Sequence, residues 1–479
     1  DDLIPRIDEL SQQGENFVNM DKDKALKDSG FEPLTANVYF GAWGIKEALD
    51  NDADIVVCPR VTDAAVVIGP AAWKFNWDRN NYDALAGALA AGHIIECGCQ
   101  ATGGNYAFFK EVPSFNNVGY PIAEIEENGN FTITKHPNTG GLVSVGTVTA
   151  QLLYEISSPS YINPDVIAHF DTLKIEEIAN DRVYVSGCRG SSPPPSHKVC
   201  INLAGGYRNG MEIILTGLDI EEKAKVFTDT LFNSIGGKDQ FDEVSIDLHQ
   251  TQKNNPKTNE EAMASLNISV KSMNPDLVGR LFTAKIVELS LSNFPGFFAR
   301  GAAKPNGPVI VYWPALVDSK YIKETVNING KKIEILPTSQ LDFEEIYYQK
   351  KPIKIPEIKE KEEVSKVYFG EIYGTRSGDK GGCANLGVWA KDLSSYAFLY
   401  KFLTVKKLKE LLPDLKNYKI DRYELANIHS LNFYVHDILQ DGVSSNNKLD
   451  SQAKSLGEYL RAKMIEVPSS ILKGKNYEQ

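Results

Sequence analysis

The stretch from Ala53 to Asn105 constrains the fold most, because an apolar run, a small-residue helix and two polar loops follow one another there without spare residues. Asp54 to Cys58 has strand character and predicts a buried strand that delivers Pro59, Arg60, Thr62 and Asp63 at its carboxyl end. Ala84 to His93 predicts a helix of small residues, suited to close packing despite Gly87 and Gly92. It leads into Glu96, Cys97, Gly98, Cys99, Gln100, Thr102, Gly103, Gly104 and Asn105, a density of polar, thiol and glycine positions that a plain connector does not need.

A chain of 479 residues is too long for one ordinary core, and 42% apolar content is enough for two. The boundary is marked by Gln349 to Lys366, QKKPIKIPEIKEKEEVSK, a prolyl and charged segment with little to bury, which reads as a linker at 349–366. Before it, residues 1–348 predict an α/β main domain with a mixed or parallel sheet. After it, residues 367–479 offer strands at Val367 to Tyr373, Ala384 to Ala390, Lys419 to Leu425 and Leu431 to Leu439, with helices at Val405 to Leu412 and Gln452 to Met464. Two helices on four strands predict an α+β, ferredoxin-like domain. A net charge of -12 argues against nucleic acid or an anionic membrane as partner and leaves small molecules and other proteins. The six cysteines are too sparse for a secreted framework and predict a reducing compartment.

Among the chemical candidates, Glu96 follows apolar Ile94 and Ile95, and partial burial there raises a carboxyl pKa toward the range of a general acid or base. The bland alternative is a carboxylate that caps a helix or pairs with Arg60. Asp63 is a second base or the N-cap of the helix after it. Cys97 is a candidate thiolate if His93 reaches it, or else inert packing. The one-residue gap between Cys97 and Cys99, with no histidine to complete a set, predicts no metal. Thr102, Gly103 and Gly104 offer backbone amides to a developing oxyanion or simply make a tight turn. A second glycine loop, with Thr139, Gly140 and Gly141 ahead of a helix, suits an anion or carbonyl oxygen but matches no nucleotide fingerprint. In the small domain Arg376, Ser377, Asp379, Lys380, Gly381, Gly382 and Asn385 combine cations with flexible backbone, as a phosphate or carboxylate site does and as a charged hairpin does. Few cations besides Arg60 and Arg189 stand near the main-domain loops, so the RSGDKGG stretch is expected to face the cleft holding ECGCQATGG and PNTGG.

The segments GAWGIKEAL, ECGCQATGG, PNTGGLVSVGTVTAQLLYEI, SGCRGSSPPP and VYWPALV, in that order, resemble the acyclic terpene utilisation AtuA family. YGTRSGDKGGCANLGVWAKD resembles the small domain that this family carries fused or as a separate chain. Cys99 departs from the small apolar residue usual there. DDLIPRIDEL resembles the middle of the family's main domain, which predicts a segment upstream of Asp1. The resemblance implies breakdown of acyclic terpenoids or branched acids, in the cytoplasm, mitochondrion or peroxisome. The expectation is an enzyme of acyl-CoA or carboxylic-acid catabolism, a lyase or hydratase working through an enolate. Its substrate is a small anionic molecule, with coenzyme A present only as part of that substrate and no other cofactor implied. A homo-oligomer is expected, with acyl-CoA-processing enzymes as possible partners. The alternative is a non-catalytic scaffold or accessory subunit of an acyl-CoA-processing complex.

Overall fold

The computed structural model describes residues 2–341, 355–356 and 362–472. Its main sheet is organised on one long strand, Ser196–Thr216, whose residues alternate between buried and half-exposed along most of its length. Pro33–Val38, Met263–Ser272, Phe297–Ala299 and Gly307–Asp318 all pair with it antiparallel, and Glu243–His249 extends the sheet beyond Met263–Ser272. A second layer holds the helices Ala65–Lys74, Tyr82–Ile95 and Val145–Leu152 together with an antiparallel four-stranded sheet, all sharing one apolar core.

The small domain has a core of its own. Tyr373–Lys380, Cys383–Ala390, Ser430–Val435 and Ile420–Leu425 form an antiparallel sheet in that spatial order. Helices Leu393–Phe402, Val405–Leu411 and Leu456–Arg461 pack on it, the first of these unanticipated from the sequence.

The structure departs from the expected main domain in two places. Its named strands pair antiparallel rather than in a parallel sheet, and among the described residues the only parallel pairing is the single bridge between Phe40 and Val61. No strand forms over 54–58, where Ile55 is 84% and Val57 92% exposed. Val56 and Cys58 pack against the core while Ile55 and Val57 point out, and the chain rejoins the sheet only at Val61, where the amides of Phe40 and Thr62 bond to Arg60 and Phe40. The expected linker also ends early, because strand Val364–Tyr368 begins inside it and pairs with Met464–Pro468. Most of its remaining residues lie outside the described ones. The expected strand from Val367 to Tyr373 is broken by a short helix at Phe369–Ile372.

Candidate functional site

Helix Tyr82–Ile95 can be buried on nearly every side because its residues are small. A Cβ at Gly87 would overlap the carbonyl of Gly129, and one at Gly92 would come 2.9 Å from Ala64, so both glycines allow backbone approach. The second contact sets the site. Gly92 lies one turn before Glu96 and Ala64 follows Asp63, so seating the helix on Ala64 brings the two carboxyls together.

Glu96 is largely buried, and that burial, reinforced by the charges of Asp63 and Glu155 and by a hydrogen bond with Asp63, pushes its pKa up to about 8. Lys380 acts in the opposite direction. Asp63 also lies 3.5 Å from Arg60. It is not the N-cap weighed from the sequence, because the cap position of Ala65–Lys74 is Ala64 and no side chain caps it.

The opposite wall comes from the small domain, through the RSGDKGG stretch. Arg376 to Lys380 form the end of strand Tyr373–Lys380 rather than a loop, and Gly381 turns the chain at φ +65°. Gly378 and Gly387 leave room for Tyr154 and Leu153 of the main domain, whose atoms would lie 2.5 and 2.6 Å from added Cβ atoms. Asn385 locks this contact, accepting from the Glu155 amide at 2.8 Å and donating to Leu153 O at 2.6 Å. Arg376 stacks on Tyr154 at 4.2 Å and donates to Gln100. Lys454 reaches Glu155 at 3.2 Å and Asp379 at 3.3 Å. Lys380, whose pKa burial and neighbouring Lys198 lower to about 8, stands 5.3 Å from the Tyr161 ring. The Tyr161 hydroxyl is held protonated by burial and by the charges of Glu96, Asp63 and Glu155.

A carboxyl of raised pKa, a phenol and several cations thus meet where two domains join, and the two domains carry separate signatures. Residues 1–328 match the model of the acyclic terpene utilisation family protein AtuA, and residues 368–466 match the AtuA ferredoxin-like domain. The chain belongs to the AtuA family. No curated protein and no solved structure matches it.

Within this AtuA chain, several residues expected to bind substrate prove to be structural. The amides of Thr102, Gly103 and Gly104 bond to the carbonyls of Cys99, Gln100 and Cys99, and the Thr102 hydroxyl to Cys99 and Gly119, so none is left for an oxyanion. Gly140 and Gly141 donate to Asn117 and Ser114 and would strike backbone oxygens 2.5 Å away if they carried a Cβ. The Thr139 hydroxyl donates to His136 O at 2.7 Å, and Asn105 is an exposed turn residue at φ 55°. Ser377 is buried and accepts from the Gly457 amide, while Gly382 fits tightly against Gln440 O. Arg189 pairs with Asp83 near the start of the helix that Glu96 ends, about 20 Å away at 1.5 Å per residue.

Cys97 is held as a neutral thiol, its pKa pushed up to about 11 by burial and by Glu96. His93 lies in an aromatic stack with Tyr161 at 4.8 Å and Phe170 at 5.5 Å, and burial drops its pKa to about 3, too low for a useful base. Among the described residues no group of three His, Cys, Asp or Glu side chains is placed to hold a metal ion. No described helix is long and apolar enough to cross a membrane. Glu155, Tyr161, Lys198 and Lys454 were not singled out from the sequence; Glu155 lies at the end of the PNTGGLVSVGTVTAQLLYEI segment, and the other three join the site from separate elements with no motif around them.

Proposed function

We propose that this protein is an enzyme of carboxylic-acid or acyl-CoA breakdown within acyclic terpene or branched-acid utilisation, a lyase or hydratase that moves a proton next to a carbonyl group. The observation that carries this reading is the Glu96 carboxyl, its pKa raised to about 8 by burial, near Tyr161 and with Lys380 reaching it from the other domain. Glu96 gives or takes the proton. Tyr161 takes over the role first assigned to the Thr102–Gly104 amides and stabilises charge as it develops on the carbonyl oxygen, and Lys380 adds a cation for an anionic group of the substrate. Arg376 contributes a cation for an anionic group of the substrate, with its guanidinium fixed by Gln100 and the Tyr154 ring. Coenzyme A enters only as part of the substrate.

Turnover of a panel of acyl-CoA thioesters and free branched acids by the purified protein tests this. Activity that falls about a hundredfold or more in Glu96→Gln, with the melting temperature kept, supports the role. Near-normal turnover in that variant removes it. The exposed Ile55 and Val57 favour a second reading, an accessory subunit that docks a partner enzyme. That reading requires no turnover on any panel member and loss of partner binding in Ile55→Ser/Val57→Ser.

A further inference from the structure

The long strand Ser196–Thr216 brings Lys198 and Cys200 to the same face, and the backbone around them gathers further polar side chains. The Tyr39 amide bonds to Lys198 O at 2.9 Å, and the Phe40 amide to Arg60 O at 3.0 Å, which fixes Tyr39 and Arg60 beside the strand. Tyr312 comes from the neighbouring strand, opposite Asn202. Its amide bonds to Asp441 O of the small domain at 3.0 Å, and an added Cβ on Gly381 would lie 3.1 Å from its ring. The hairpin carrying Lys380 is thereby pinned next to Lys198.

The Lys198 ammonium lies 5.5 Å from the Tyr39 ring and 5.7 Å from the Tyr312 ring, with Arg60 4.4 Å over the opposite partner, Tyr39. Lys198 and Lys380 come from different domains and repel each other. Of the nearby acids, Asp63 pairs with Arg60 and Glu155 with Lys454, Glu96 has its carboxyl pKa raised by burial, and Asp21 sits against Gly381; among the described residues neither lysine has an ion pair of its own. Two half-buried like charges brought together across a domain junction oppose docking of the domains unless an anion joins them. The phenols of Tyr39 and Tyr312 both have pKa values raised by burial, so they stay protonated; the Tyr39 hydroxyl already bonds to Tyr312 and Cys200, which leaves the Tyr312 hydroxyl to donate.

We propose that Lys198, Lys380 and Arg60, with the phenol of Tyr312 held by that of Tyr39, form an oxyanion subsite that holds a carboxylate or phosphate group of the substrate next to Glu96. This rests on the reading of the Glu96 cleft as the reaction site and adds Lys198, Tyr39 and Tyr312 to it. It makes the substrate a molecule with a free anionic group within a few bonds of the carbon that exchanges its proton. The two lysines and the arginine fix that group while Glu96 works on its neighbour.

Calorimetric titration of the full chain with succinate, and separately with inorganic phosphate, tests the subsite without relying on turnover. The preferred anion identifies the group. Binding is expected to weaken about tenfold or more in Lys198→Met and in Lys198→Gln, as befits loss of a charge-assisted contact, and to be retained in Lys198→Arg. Glu96→Gln is expected to keep anion binding while losing turnover, so the two proposals fail separately. A second readout is the pH midpoint of selective amine acylation at Lys380. It is expected near 8 with Lys198 present, and to rise in Lys198→Met and on anion binding. Unchanged affinity in both neutral variants, or a Lys380 midpoint that neither anion moves, overturns the subsite. Binding of neither anion to the wild-type chain overturns it too.

Discussion

Two carboxyl clusters in this molecule have similar pKa shifts and different surroundings. At the first, Glu96 is raised by burial and faces Lys380 across the domain junction. At the second, burial raises Asp165 to about 6 and Glu324 to about 7 beside helix Trp43–Asp50. There the Ala42 amide donates to Asp165 at 2.8 Å and the Gly44 amide to Glu324 at 3.0 Å, while Arg79, seated over Trp43, supplies a cation. The space bordered by both carboxyls is only about 20 Å³, scarcely room for one water, while Glu324 also borders an open cavity of about 730 Å³ beside Asp54 to Pro59. A shifted carboxyl therefore does not identify a reaction site. The distinction is whether its partners are backbone amides and a cation seated beside it, as at Asp165 and Glu324, or come from the other domain and include a lysine with no ion pair among the described residues, as at Glu96.

The largest expected effect separates the clusters by one chemical change made in each. Glu96→Gln is expected to reduce turnover about a hundredfold or more, and Glu324→Gln to leave it within about twofold, in steady-state assays at pH 7. With Glu96 acting as an acid, wild-type turnover falls as pH rises through about 8. Equal losses in both variants would erase the comparison.

Stability changes come next. Arg79→Met removes the cation from two buried carboxyls and is expected to cost about 2 kcal/mol in urea unfolding at pH 8, with a smaller loss at pH 5. The sign follows from the raised pKa values, because protonated Asp165 and Glu324 need no cation and their ionised forms do. Asp165→Asn carries the opposite expectation. A carboxyl whose folded pKa exceeds its unfolded one contributes stability at low pH that is lost as pH rises through the folded value. The variant should therefore gain on wild type between pH 4 and pH 7, by on the order of 1–2 kcal/mol. A difference independent of pH would show that Asp165 does not titrate there. The smallest effect is expected for Cys97→Ser, a turnover change within about twofold, because the raised thiol pKa leaves little thiolate to act as nucleophile.

Local patterns were legible where one element decides the outcome. Strand Cys383–Ala390 and the helix holding Gly87 and Gly92 follow from a short apolar run and from small residues. Glu96 was legible because apolar residues on one side and glycines on the other predict partial burial. Glycine loops were misread for a definite reason: glycine permits close approach whether the neighbour is a ligand or the chain itself, and at Gly140 and Gly141 it is the chain. The run at Asp54 to Cys58 looks like a buried strand in composition, yet nothing local tells whether an apolar segment finds a sheet. Lys198 and Tyr161 were illegible because their neighbours lie far along the chain, in a pairing that only the folded structure specifies.

The central claim is that Glu96 stays protonated at neutral pH within the domain junction, coupled to Asp63. Infrared difference titration of the wild-type chain against Glu96→Gln measures this directly. The expected result is a protonated-carboxyl band present at pH 6, absent from the variant, and lost with a midpoint near 8. A wild-type spectrum with no such band at pH 6, showing the carboxyl already ionised, would contradict the account.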